Sequence, residues 1–164
     1  MRKVAAALFF FLLFGLLLSC STIDCPTQTN VMVRYGFYDA AGRVDTLRDT
    51  LSIWSKRKNG TDTLLLNRGV NKTALELYIS YQHPEDVLFF SVTDTNKVVT
   101  LDTVWVKKDD IPHFESVDCA AHFFHTLTAV RSSHHLIDTI AIVNPTVNYD
   151  TSGQHLHIRF KAHR

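Results

Sequence analysis

Nine histidines in 164 residues are the first place to look for chemistry. His155 and His157, in "QHLHIRF", stand two apart, and alternation along a strand would put both rings on one face. Two imidazole nitrogens on one face hold a divalent ion once a third ligand arrives from a neighbouring strand. His122, His125 or the pair His134 and His135 are the available donors. His122 and His125 are three apart, which sets them on opposite faces of a strand, and no tight zinc-type spacing occurs. The sequence therefore favours a half-polar, solvated sheet face over a metal centre, and it implies no cofactor. Ser132 and Ser133 beside His134 and His135 have the residue types of nucleophilic catalysis. Neither serine sits in a strand-turn-helix elbow, however, and neighbours in sequence are not a triad. Asp109 and Asp110 lie just before Pro112 and read as a turn, and no Gly-rich phosphate loop occurs. The expectation is a protein without enzymatic activity.

Two further patterns concern modification rather than catalysis. Asp followed by Thr and an apolar residue recurs at 45–47, 49–51, 62–64, 102–104 and 138–140. The pattern resembles the O-glycosylation acceptor of Bacteroidetes-type exported proteins, which would make Thr46, Thr50, Thr63, Thr103 and Thr139 candidate sites. Strand chemistry alone also produces it: Asp ends a turn by bonding nearby backbone, and β-branched Thr starts the strand.

The second pattern is at the N-terminus. Arg2 and Lys3 precede an uncharged apolar run over residues 4–18, then Ser19 and Cys20. The run is short of the roughly 20 residues a spanning helix needs, and it has the parts of a secretory signal. Leu17-Leu18-Ser19-Cys20 resembles the lipobox of bacterial lipoproteins, in which the cysteine takes a diacylglyceryl group and becomes the new N-terminus. That resemblance implies a signal peptide over 1–19 and acyl chains, palmitate among them, on Cys20. Several chains at about 0.8 kcal/mol per buried CH₂ give a stable tether to the membrane. Ser21 stands where an inner-membrane retention signal would carry Asp, so the resemblance favours the outer membrane, with the body facing the periplasm or the cell surface.

The two other cysteines, Cys25 and Cys119, are an even pair in a compartment that is oxidising, and a disulfide is expected. The whole chain carries 17 basic and 16 acidic residues. Removing 1–19 takes Arg2 and Lys3 with it and leaves one more acid than base, so nothing favours nucleic acid as a partner.

The elements that must position these residues read as strands. Alternation puts Val31, Val33, Tyr35 and Phe37 on one face, Leu75, Leu77, Ile79 and Tyr81 on another, and Ile140 with Ile142 on a third. Turn markers at near-regular spacing separate strand candidates at 30–38, 49–57, 62–66, 74–82, 87–93, 98–107, 122–131, 136–143 and 155–161. About nine short strands predict an all-β antiparallel sandwich, immunoglobulin-like or similar, with an up-and-down barrel as the second choice. The domain organisation is a signal peptide over 1–19, a lipidated leader over 20–29 and one β domain over 30–164.

The stretch "SVDCAAHFFHTLTAVRSSHHLIDTIAIVNPTVNYDTSGQHLHIRF" from Ser116, together with the lipobox and the early Cys-Pro, resembles a family of small Bacteroidetes-type lipoproteins of unknown function. The resemblance implies an envelope location and a β-rich body, and it brings no catalytic residues. The functional expectation is a lipid-anchored, non-catalytic envelope protein that binds an envelope protein or ligand, with Tyr35, Tyr38, Trp54 and Trp105 available for recognition, although Trp54 and Trp105 read equally well as core. The alternative is a metal-handling protein using His155 and His157.

Overall fold

A computed structural model describes Cys25, residues 31–57 and residues 59–161. The signal segment 1–19, Cys20 and the remainder of the leader apart from Cys25 lie outside the described residues. Ten strands and no helix occur among the described residues. They are β1 (Met32–Phe37), β2 (Thr50–Lys56), β3 (Asp62–Gly69), β4 (Ala74–Tyr78), β5 (Glu85–Thr93), β6 (Val99–His113), β7 (His122–Ser132), β8 (Ile137–Ile142), β9 (Thr146–Val147) and β10 (Leu156–Phe160). They form two sheets, a four-stranded one in the order β4-β1-β10-β8 and a six-stranded one in the order β3-β2-β5-β6-β7-β9. This is an all-β sandwich and not a closed barrel. One pair departs from the antiparallel expectation: β1 and β10, the first and last strands, run parallel with Tyr35 opposite Leu156.

Period-two patterning makes the sandwich. Val33, Tyr35 and Phe37 of β1, Leu51 and Ile53 of β2, Leu88, Phe90 and Val92 of β5, Val104 and Val106 of β6, and Leu156 and Ile158 of β10 are buried between the sheets. Burying each such side chain contributes roughly 1.5–3 kcal/mol before the entropy of ordering is set against it. Tyr35 belongs to this core at 2% exposure, so it is not available for recognition as the sequence implied. Burial, with the Asp86 carboxylate adding to it, pushes its phenol above the ordinary tyrosine range.

Two expectations about strands change. The turn read at Asp109 and Asp110 is strand: β6 runs on to His113, pairing Asp110 with His125 and Ile111 with Phe124. Beyond Lys107 the pairing with β5 has ended, so Pro112 lies where β6 has a strand neighbour on one side alone, a place that tolerates a residue without an N–H. The tenth strand, β9, is two residues long and carries no alternation to read.

Candidate functional site

The inward row of β6 reads Asp102, Val104, Val106, Lys108, with a charged residue at each end of an apolar centre. At one end Asp102 is fully buried, and its carboxylate collects the connection between β7 and β8. Oδ1 accepts from Ser133 Oγ at 2.6 Å and the His135 N–H at 2.8 Å; Oδ2 accepts from the N–H groups of Leu136 at 2.7 Å and Ile137 at 2.6 Å. Burial pulls this carboxyl upward, but the donors from Ser133, Ile137, His135 and Leu136 together hold it below the usual carboxylate range. His134 turns the chain here with a left-handed φ of 58°, a conformation that histidine adopts more readily than most residues.

Ser133, His135 and Asp102 thus come together, as the residue types of a nucleophilic set would. The proton directions differ from such a set. Ser133 donates its hydroxyl proton to Asp102 and accepts from the Thr103 N–H at 2.9 Å. His135 Nδ1 stands 3.1 Å from that hydroxyl oxygen on a ring that is two-thirds exposed. The arrangement closes a loop onto a strand.

At the other end Lys108 is buried, 1% exposed, and its Nζ donates to the His83 carbonyl at 2.9 Å and to Asp110 Oδ1 at 2.6 Å. His125 Nδ1 shares the same oxygen at 2.6 Å. Asp86 lies nearby and accepts from the Ser80 N–H at 2.8 Å; burial raises its carboxyl above the ordinary range. Burial also pushes His125 below the usual histidine value, against the pull of its hydrogen bond to Asp110. A cleft of about 310 Å³ opens beside His125, lined by Tyr78, Tyr81, Ala121 and Phe123.

The histidines singled out for metal binding are placed differently. His155 lies just before β10 at 2% exposure, and its Nδ1, the lone pair a metal would take, accepts the Arg34 N–H at 2.9 Å. The ring also hydrogen-bonds the Thr146 backbone, so it straps β1 of one sheet to β9 of the other. His157 instead stacks on Tyr38, with centroids 3.9 Å apart. The expected side-by-side pair does not form, because His155 precedes the regular strand and turns its ring onto backbone. No group of three His, Cys, Asp or Glu side chains able to hold a metal occurs among the described residues.

Cys25 and Cys119 are joined in a disulfide, Cα atoms 5.7 Å apart, which ties the start of the chain to the connection between β6 and β7. The five threonines differ in access. Thr46 and Thr139 are exposed, whereas Thr50, Thr63 and Thr103 are half-buried. Thr63 Oγ1 accepts from Arg57 at 2.6 Å, and Thr139 Oγ1 accepts from Arg159 at 2.9 Å. The turn-then-strand account of the Asp-Thr pattern fits 49–50 and 62–63, at the starts of β2 and β3. It does not fit 102–103 or 138–139, which lie within strands.

Sequence reading alone did not locate the outer face of the six-stranded sheet. Leu64, Trp54, Phe89 and Thr103 lie abreast on β3, β2, β5 and β6, with Val87, Trp105 and Arg131 in the neighbouring row. Trp54 and Phe89 stack at 5.8 Å and 19°. Lys56 Nζ sits 5.9 Å from the Phe89 ring, and the Arg131 guanidinium lies 4.0 Å over Trp105. Alternation of Trp54 against Ile53 and of Trp105 against Val104 is the signal that assigns both indoles to the outside.

No curated protein and no solved structure matches the chain. The model of a family of unknown function, DUF6452, matches residues 50–160, from the start of β2 to the end of β10, and the chain belongs to that family.

Proposed function

We propose that this is a lipid-anchored protein of the bacterial cell envelope, acylated on Cys20 and held at the outer membrane. In this reading its sandwich binds another envelope protein through the outer face of the six-stranded sheet and catalyses no reaction. The observation that carries the binding role is the Leu64, Trp54, Phe89 row beside Val87 and Trp105: three half-exposed rings and two aliphatic side chains gathered on the outer face of one sheet. Aromatic side chains and arginine are enriched where proteins bind one another, because they bring large contact area with few rotors. Arg131 over Trp105 and Lys56 beside Phe89 frame the rings with cations, which favours a partner surface that is apolar with acidic edges.

The non-catalytic reading is supported by Ser133, whose proton is directed at a carboxylate that already binds three N–H groups. Metal handling by His155 and His157 is not favoured, since the Nδ1 of His155 is occupied by backbone.

The test is crosslinking in intact envelopes with the full chain, comparing wild type with Trp54→Ser/Trp105→Ser and with Val44→Ser as a control far from the face. Capture of one partner by wild type and by Val44→Ser, lost in the double variant at unchanged melting temperature, is expected. Equal capture by all three would remove the sheet face from the account.

A further inference from the structure

The three exposed Phe, Tyr or Trp side chains among the described residues, Tyr78, Tyr81 and Phe114, all lie at one end of the sandwich. That end holds the last residue of β4, the loop before β5 and the connection between β6 and β7. Phe114 is 65% exposed and Val117, in the same connection, 98% exposed, while Tyr78 and Tyr81 are 58% and 59% exposed. Tyr81 is held in place by stacking on Phe123 at 4.9 Å. The opposite end, at the turns over 39–43 and 94–98, exposes Val44, Val98 and Val99 beside Asp39, Asp94 and Lys97, and its exposed rings among the described residues are the imidazoles of His134 and His135 rather than Phe, Tyr or Trp.

The disulfide makes this asymmetry meaningful. Cys119 stands two residues after Val117 and is bonded to Cys25. Cys25 in turn follows Cys20 by five residues, so even a fully extended chain spans at most about 18 Å between them. β6 alone, at fifteen residues, extends roughly 45–50 Å. A lipid on Cys20 is therefore kept near the aromatic end and away from the other. A tether of that reach permits a lying or a standing pose, and the exposed rings select between them.

We infer that the bridged end of the sandwich rests on the lipid surface, with Phe114 and Val117 entering the acyl boundary and Tyr78 and Tyr81 at headgroup level. The inference rests on the lipid-anchor reading of Cys20. Phenolic rings suit this depth because the ring is apolar and the hydroxyl stays wet. Glu115 and Asp118 flank the apolar pair, and Glu115 is bonded to His113 at 2.9 Å, so the attraction is apolar rather than a charge attraction to anionic lipid. The standing pose leaves the outer face of the six-stranded sheet directed sideways and free for a partner.

The experiment uses the full-length lipidated chain in vesicles of phosphatidylethanolamine with a minority of phosphatidylglycerol. Val117→Cys or Thr95→Cys carries an environment-sensitive fluorophore, with the Cys25–Cys119 bridge verified by non-reducing peptide mapping. Thr95 is exposed at the far end and serves as the reference. Brominated acyl chains should quench the Val117 label at least about twofold and leave the Thr95 label unchanged, as burial to 5–10 Å requires. The mass of the N-terminal peptide reports the lipid separately, and an unacylated Cys20 overturns both this inference and the anchor. An acylated chain whose two labels are quenched alike overturns the orientation alone. A Val117 label shielded in native envelopes but not in the vesicles gives this end to a protein contact and overturns the inference.

Discussion

Asp102 and Lys108 are six residues apart on the same face of the same strand, both buried, and the protein accommodates their charges by different means. Asp102 is neutralised almost entirely by dipoles: three backbone N–H groups and a serine hydroxyl, with the imidazole of His135 3.5 Å away and largely in solvent. Lys108 faces a carboxylate, a carbonyl and, through Asp110, a histidine. An anion lends itself to the first solution because consecutive backbone N–H groups in a loop converge on it. The consequence is that the Asp102 carboxylate is held by backbone and hydroxyl dipoles, whereas the Lys108 cluster includes a buried histidine, His125, whose pKa burial lowers. The Lys108 end is also the end that carries the disulfide.

The sharpest way to break this contrast is Asp102→Ala, which strands three buried N–H donors. At about 1–3 kcal/mol for each orphaned group, with partial hydration as the loop relaxes, a loss of roughly 3–5 kcal/mol is expected in urea unfolding. A loss under about 1 kcal/mol would mean the loop holds without its carboxylate. Next is the bridge: Cys119→Ser removes a crosslink with a sequence separation of 94, and about 2–4 kcal/mol should go with it. Cys25→Ser and the double variant should cost the same, since all three remove one crosslink, and additive losses would contradict a shared bond.

Lys108→Ala should cost less than Asp102→Ala, about 2 kcal/mol, because Asp110 is 22% exposed and regains water when its partner leaves. A larger loss than that of Asp102→Ala would reverse the comparison. The smallest effect is in pH dependence. Burial lowers the pKa of His125, so the folded protein binds that proton less readily than the unfolded chain does. Stability is then full above the unfolded value near 6.5 and falls as the pH drops through it. His155 and His157 act in the same sense, whereas the raised carboxyl of Asp86 acts oppositely at lower pH. His125→Asn, which keeps a donor near Asp110, should flatten the fall between pH 7.5 and 5.5 by up to about 1 kcal/mol. Asp102→Asn should leave that slope as it is in wild type, and a flattened slope there would place titration at the wrong end.

Much of the architecture was legible in the chain. The strands with clear alternation, such as β1 with Val33, Tyr35 and Phe37, lie within a few residues of their expected bounds, and the paired cysteines are bonded. What could not be read depends on partners distant in sequence. Asp109 and Asp110 look like a turn because carboxylates and Pro112 are rare in strands; Asp110 is placed there by Lys108 and His125, fifteen residues further on. Asp102 carries the same Asp-Thr pattern as the surface sites, and nothing local distinguishes it, since its donors come from residues 133–137. His155 was misassigned for a related reason. The strand period that put it beside His157 stops one residue short of it, and its ring answers to Arg34 and Thr146 instead.

The parallel pairing of β1 with β10 bears on the order of events during synthesis. Tyr35 and Leu156 meet across 121 residues, so the seam between the first and last strands closes only after nearly the whole chain has been made. Until then β1 has β4 as its available neighbour and shows its other edge to the surroundings. Contacts so far apart in sequence slow folding, because the loop entropy must be met before the contact forms. For a chain exported as proposed above, that delay would keep the first strand waiting for its last while the chain is threaded through a translocation channel, and the seam would close on the far side.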